Sequence, residues 1–390
     1  MRIPDKEQFF PGNRIYKEDI YTMTSKERLL AAIRHEEPDI VPNAPRLWAF
    51  LLEYYQGTGK GILDAAAEFD YDPIICIGPG LPGADSRVSI ETETAQEGDL
   101  TAIRRKIKTP AGDMTDGYAV APRGREYGIS PNQHWFEHAV KGREDLDKIR
   151  YLFPQLKEIS IDRYATTVEN VGERGLVEMR PTSGADQYMA DYVGNTAAMM
   201  MYYDDKELFK ELLNLFHKYN QAVMRKCLEA GVEVIFDSWY NVSLSTGWSP
   251  QMYREMFLPL MKENVQLVHS YDAIYHFYDD GRCTEVIGDW ADCGMDVIAT
   301  LTPPPVGDVD LALTKKKVGD RVCLKGNIDL LYVIYKGTPE LVREKVKEAI
   351  EIGAPGGGFI LSTSDSIREG TPVENVRAYF EAAREYGVIS

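Results

Sequence analysis

The chain has 390 residues, 44% of them apolar, and carries 44 Lys and Arg against 61 Asp and Glu, a net charge of −17. That length suits one α/β barrel with insertions, and the acidic balance argues against nucleic acid or an anionic membrane as partner, because both require a basic surface. It also disfavours a polyanionic substrate unless local arginines override the global field. The five cysteines (Cys76, Cys227, Cys283, Cys293, Cys323) are scattered and odd in number, residues 1–10 are polar, and no apolar run approaches a membrane span. The expectation is a reduced, cytoplasmic protein with free thiols and no disulfide framework.

In chain order, residues 1–24 read as an N-terminal extension. Thr24 and Glu27 then form a capping-box pattern ahead of a helix over 26–34. From residue 40, short β-branched runs alternate with long amphipathic stretches. The predicted strands are 40–48, 73–77, 176–181, 234–239, 273–278, 297–301, 322–326 and 358–362. Residues 88–120 alternate with period two around Glu97-Gly98-Asp99, which predicts a β-hairpin insertion. Residues 183–231 read as two helices broken at Tyr202-Tyr203-Asp204-Asp205. Later helix patterns fall at about 250–269, 284–293, 308–318, 338–352 and 373–386. Eight strands with intervening helices predict a single (β/α)8 barrel spanning 1–390, with a hairpin insertion and extra helices. An open doubly wound sheet is the alternative, but the Gly-rich stretch 353–358 precedes a strand instead of following one, so no dinucleotide fingerprint supports it.

A barrel of this kind builds its active site at the C-terminal ends of its strands. That rule selects Arg46 and Trp48, Arg180, Asp237 with Trp239 and Tyr240, Tyr278 to Asp280, Asn327 with Asp329, and Thr363 to Asp365. The aromatic residues suit a flat ring, and the carboxylates suit proton transfer or a metal. Each single aromatic could equally plug the barrel mouth. Asp280 and Asp365, distant in sequence, should meet in a closed barrel, where two carboxylates either share a metal or push each other's pKa apart. His276, two residues before Tyr278, should point the same way but deeper. A second metal set can be drawn from Glu255, Cys283 and Cys323, an acid and two thiolates leaving one open zinc position. Without a compact motif, the two cysteines read as readily as core residues. Cys76, Cys227 and Cys293 read as core.

Several segments together resemble the uroporphyrinogen decarboxylase superfamily. They are Met23 to Arg28 with His35 to Pro42, Ser249 to Glu255 with Leu258-Pro259, Lys325-Gly326-Asn327-Ile328-Asp329, Gly337 to Val342, and Thr371 to Val376. The resemblance implies a (β/α)8 barrel and three candidate activities. Porphyrinogen decarboxylases carry an arginine-rich first strand loop and an aspartate ending the second strand. Here Arg46 stands alone and the second strand runs into Ile77-Gly78-Pro79-Gly80.

The zinc-dependent corrinoid methyltransferases carry His-x-Cys-Gly and a late Cys, which align with Tyr278, Asp280 and Gly281 and with Asp365. The sulfur ligands have become oxygen groups, so thiol activation is disfavoured. A Lewis-acid zinc or proton donation from Tyr278 or a carboxylic acid could instead activate an ether. That branch implies demethylation of a small, aromatic methyl ether, with the methyl passing to a cobalamin-type corrinoid on a separate protein. The chain has no corrinoid-binding Asp-x-His-x-x-Gly loop of its own. Pairing of two copies through the outer helices is a further implication. A non-catalytic binder of a corrinoid protein or small ligand is the alternative from another class.

Overall fold

The computed structural model describes residues 22–123 and 132–388, so the predicted extension at 1–24 lies, apart from its last three residues, outside the described residues. Seven strands form one sheet: β1 Ile74–Ile77, then β6 Leu176–Met179, β7 Val234–Ser238, β8 Ile274–Asp279, β9 Val297–Thr300, β10 Cys323–Ile328 and β11 Phe359–Thr363, paired in that order. The pairings are parallel throughout. Parallel neighbours need a crossover, and helices supply it on the outside. The α/β barrel read from the alternation is present.

The predicted first strand, 40–48, is not a regular strand. It makes two isolated bridges, Ile40 with Val388 and Asn43 with Leu361. Pro42 and Pro45 remove two ladder donors, which is why the ladder cannot run on. Backbone bonds still link it to both sheet edges. Ala44 donates to Leu361 (2.9 Å), Leu361 donates to Pro42 (2.8 Å), and Asp72 donates to Asn43 just before β1 (2.8 Å). The segment is the eighth stave in position, and Trp48 beyond it opens the helix Trp48–Tyr54.

Alternation assigns each strand residue to the lumen or to the helix layer. The barrel floor is apolar: Leu176, Val234, Val297, Cys323 and Ile360 pack with Leu29 and Ala32 of the helix Ser25–Ile33. Thr24 caps that helix through the reciprocal box with Glu27 (3.2 and 2.8 Å), a device worth about 1 kcal/mol. Above the floor the lumen becomes polar and aromatic. The outward residues, among them Ile235, Tyr275, Phe277, Leu324 and Leu361, join the main core under the helices.

Two regions are more elaborate than the sequence pattern implies. The turn at Glu97-Gly98-Asp99 joins β2 Ser89–Glu97 to β3 Leu100–Thr109, but β4 Gly112–Val120 and β5 His134–Glu137 extend the pair into a four-stranded antiparallel sheet. The region predicted as two helices holds three: Ala185–Tyr192, Asn195–Asp204 and Lys206–Glu229. The extra break falls at Gly194, whose φ of +85° suits only glycine, and a Cβ there would lie 2.4 Å from the His138 ring. His138 follows β5, so this close approach ties the inserted sheet to the barrel.

Candidate active site

At the mouth, β8 and the loop after β11 bring Tyr278, Asp280 and Asp365 together. The Tyr278 hydroxyl donates to Asp365 Oδ1 at 2.9 Å and lies 3.5 Å from Asp280 Oδ2. Asp365 also accepts from the Ser366 N–H (2.6 Å) and pairs with Arg368 (3.3 Å). Burial, helped by the charge of Asp365, pushes the Asp280 carboxyl up to about 6. Burial raises the Tyr278 phenol well above its ordinary value, so it stays a neutral donor. Both carboxylates line a cavity of about 170 Å³ with Thr302, Val306, Leu330, Leu331 and Tyr335. The turn depends on Gly281: a Cβ there would fall 1.8 Å from Ser243 Oγ.

One layer deeper, Glu178 is fully enclosed and shared. Its Oε1 accepts from Arg46 Nη2 (3.0 Å) and its Oε2 from His276 Nδ1 (2.5 Å). Burial alone would raise this carboxyl, but His276, Arg46 and Lys325 overcome it and hold it at about 2. Burial lowers His276 despite Glu178, which leaves a neutral ring whose Nε2 has no partner. The Arg46 guanidinium lies 4.1 Å over the Phe236 ring and 5.1 Å over Tyr278. Phe236, Tyr278 and Ala299, with Tyr240 against them, form a small apolar wall inside the lumen. Tyr240 also donates to Gln187 Oε1 at 2.5 Å. Arg180 donates to Ser238 Oγ at 2.9 Å beside this wall.

Other predicted site residues lie elsewhere. Asp237 faces the helix layer, where its Oδ2 accepts from Tyr275 (2.6 Å), Asn264 (2.8 Å) and Trp239 Nε1 (3.0 Å). Trp239 is fully buried in the same layer. Both are therefore corrected to structural positions, because strand parity turns them away from the lumen. Trp48 is 59% exposed at its helix start and outside the pocket. Asn327 lines a different cavity, of about 460 Å³, with Pro303, Pro304 and Asp329.

The proposed zinc set does not fit. Glu255 is on the surface, paired to Lys206 (2.5 Å) and accepting from Tyr202 (2.7 Å). Cys323 lies in the apolar floor, its thiol pushed up to about 12 by burial. Cys283 is buried beneath the Gly281 turn, and burial with Asp279 and Asp308 keeps its thiol protonated. Among the described residues, no three His, Cys, Asp or Glu side chains converge as metal ligands. Asp280 and Asp365 supply two carboxylates and no third donor of that kind, so no catalytic step is assigned to zinc.

The sequence reading passed over Glu178, Lys325 and Cys76, all in the lumen layer. Glu178 and Lys325 are charged residues inside otherwise apolar strands, which is the signal that could have found them. Cys76, read as core, is exposed to the lumen opposite Glu178. Asp279, on the outer face of β8, has its carboxyl pushed up to about 8 by burial. Burial likewise pushes Asp186 up to about 7.

A parallel barrel with an acidic, aromatic mouth defines the class. Within it, residues 187–386, just over half of the chain, match the uroporphyrinogen decarboxylase (URO-D) family model. The chain belongs to the uroporphyrinogen decarboxylase family. It is 32% identical over 263 residues to the uroporphyrinogen decarboxylase of Chlorobium limicola, a match covering 63% of this chain and 70% of that enzyme. It is also 32% identical over 160 residues to that of Chlorobaculum tepidum, covering 40% of this chain and only 42% of that enzyme. In fold it is similar to a methyltransferase from Methanosarcina mazei, at a TM-score of 0.59 and 18% identity over 93% of this chain and 99% of the other. No helix among the described residues is long and apolar enough to cross a membrane.

Proposed function

We propose that this protein demethylates a small aromatic methyl ether and delivers the methyl group to a separate corrinoid protein. The observation that carries this reading is the Tyr278, Asp280 and Asp365 cluster, in which Asp280 holds its proton up to a pH of about 6. Breaking an aryl ether releases a phenolate, a poor leaving group unless it is protonated as it departs. Asp280 supplies that proton, and Tyr278 donates a hydrogen bond at the same place. Phe236, Tyr278 and Tyr240, whose rings meet edge to face, offer an aromatic substrate an apolar wall.

The corrinoid of the partner supplies the nucleophile that accepts the methyl carbon; every proton and orienting contact comes from this chain. The carbon–oxygen bonding pair stays on the ether oxygen, which takes the Asp280 proton, so a methyl ether and an acid become a phenol and a carboxylate. The fold likeness to a methyltransferase supports this reading.

The second reading is a decarboxylase, favoured by the names of the curated relatives. Against it stand the net charge of −17 and a mouth where Asp280 and Asp365 meet the substrate first. Incubation with a panel of aryl methyl ethers and a reduced corrinoid protein separates the two. Phenol release together with methylation of the corrinoid is expected. Carbon dioxide release from a porphyrinogen, with no phenol formed from any ether, would overturn the proposal.

A further inference from the structure

Among the described residues, Lys325 is the one lysine placed in the middle of a barrel strand, and it is 3% exposed. It stands two residues above Cys323 of the floor and in register with Ala299 of the lumen wall, so its side chain enters the lumen. Among the described residues its ammonium has no hydrogen-bond acceptor and no carboxylate within ion-pair distance. Glu178 is the acid whose charge acts on it, but the Glu178 carboxylate makes its hydrogen bonds to Arg46 and His276 and not to Lys325. Arg46 itself commits a single Nη2 to that bond and keeps part of its guanidinium open to the lumen, at 29% side-chain exposure. His276 Nε2, buried in the same layer, is also without a partner. The layer therefore holds two cations, Lys325 and Arg46, against the single carboxylate of Glu178.

A cation enclosed without a direct ion pair is costly even when a shared carboxylate such as Glu178 lies in the same layer, and methionine would fill similar space without that cost. The cost is visible in Lys325, whose ammonium burial, with the like charge of Arg46, pushes down to about 8. An anionic group entering the lumen would satisfy it. Solvent reaches this layer, since Arg46 is part-exposed and Cys76, in register with Glu178, is exposed. The rim above is acidic at Asp280 and Asp365, so an anion is repelled at the mouth and stabilised beneath it.

Resting on the proposed demethylation, we propose that Lys325 and Arg46 form a receptor for one carboxylate of the substrate, which is thus a methoxyarene bearing an anionic group remote from its methoxy group. Charge orients it: the carboxylate goes down to Lys325 and Arg46, the ring lies along Phe236 and Tyr278, and the ether oxygen stays beside Asp280. One unshared lysine and a half-used arginine serve a single anion. They do not serve the several carboxylates of a porphyrinogen.

The test is equilibrium binding to the full chain, without any corrinoid protein, of 4-methoxybenzoate and its neutral, nearly isosteric partner 4-methoxybenzamide. The carboxylate is expected to bind about tenfold tighter than the amide, the scale of one charge-assisted contact in an enclosed site. Lys325→Met should reduce that preference to within about twofold while its melting temperature stays equal or rises, because a buried unpaired cation has been removed. Equal binding of the two probes, no binding of either at millimolar concentration, or a full preference surviving in a folded Lys325→Met protein would each overturn the proposal. If Lys325→Met fails to fold, Arg46→Gln read against the same probe pair gives the same decision. Binding without methyl transfer would instead count against the demethylation reading and leave the receptor standing, so the two failures are distinguishable.

Discussion

The two faces of strands β7 and β8 carry carboxylates in opposite surroundings. On the outer face, Asp237 is enclosed by Tyr275, Asn264 and Trp239, with three donors converging on one oxygen. On the inner face, Asp280 meets Tyr278 and Asp365 at the edge of a cavity. Both aspartates lie near strand ends, and both belong to the set that the strand-end rule selects. What separates them is parity: Asp237 follows the lumen residue Phe236 by one position, whereas Asp280 follows the lumen residue Tyr278 by two. Position along a barrel strand nominates a residue, and the pleat decides whether it faces the lumen or the core.

The largest effect expected from this contrast is on the inner face. Asp280→Asn keeps the shape and removes the transferable proton, so methyl transfer should fall by about 100-fold or more with an unchanged melting temperature. A loss of only a few-fold, measured as phenol released per turnover, would break the assignment. Asp237→Ala should do the reverse. It strands three buried donors and should cost roughly 3 kcal/mol in denaturant unfolding, while turnover by the remaining folded protein is unchanged. A stable Asp237→Ala protein with lost turnover would exchange the roles of the two faces.

The pH dependence follows the same division. With the Asp280 carboxyl raised to about 6, its protonated fraction, and hence the transfer rate, should decline about tenfold per unit above that pH. Asp279 and Asp186 are raised to about 8 and about 7 from an ordinary 3.8 by burial, so the folded state retains protons that the unfolded chain releases. Their contribution to stability is complete below about pH 4 and is lost as the pH rises to about 8. Melting temperatures measured from pH 5 to 8.5 should therefore decrease, and Asp279→Asn should flatten that decline. A melting temperature that rises over this interval would contradict the assignment.

The smallest expected effect concerns Cys283. Because Glu255, Cys283 and Cys323 sit on the surface, under a turn and in the floor, Cys283→Ser should leave zinc content unchanged in plasma mass spectrometry. Loss of stoichiometric zinc in that variant would restore the set.

The barrel was legible because β-branched runs and amphipathic stretches obey different periods, and both survive in a single sequence. The meeting of Asp280 with Asp365 was legible for a related reason, since barrel closure brings distant strand ends together. The first stave was misread as a strand because its apolar content outweighed the signal of Pro42 and Pro45, which deny it a ladder. Glu178 and Lys325 were missed because charge inside an apolar strand looks like noise until a register places it in the lumen beside Arg46 and His276. The spread of Glu255, Cys283 and Cys323 was beyond reach, since spacing in sequence carries no depth.

Single-turnover methyl transfer from an aryl methyl ether to a reduced corrinoid protein, with wild-type and Asp280→Asn compared from pH 5.5 to 8, tests the central claim most directly. The account predicts phenol release that slows above about pH 6 in the wild type and is nearly abolished in the variant. Equal rates for the two proteins, or a rate that increases with pH, would contradict it.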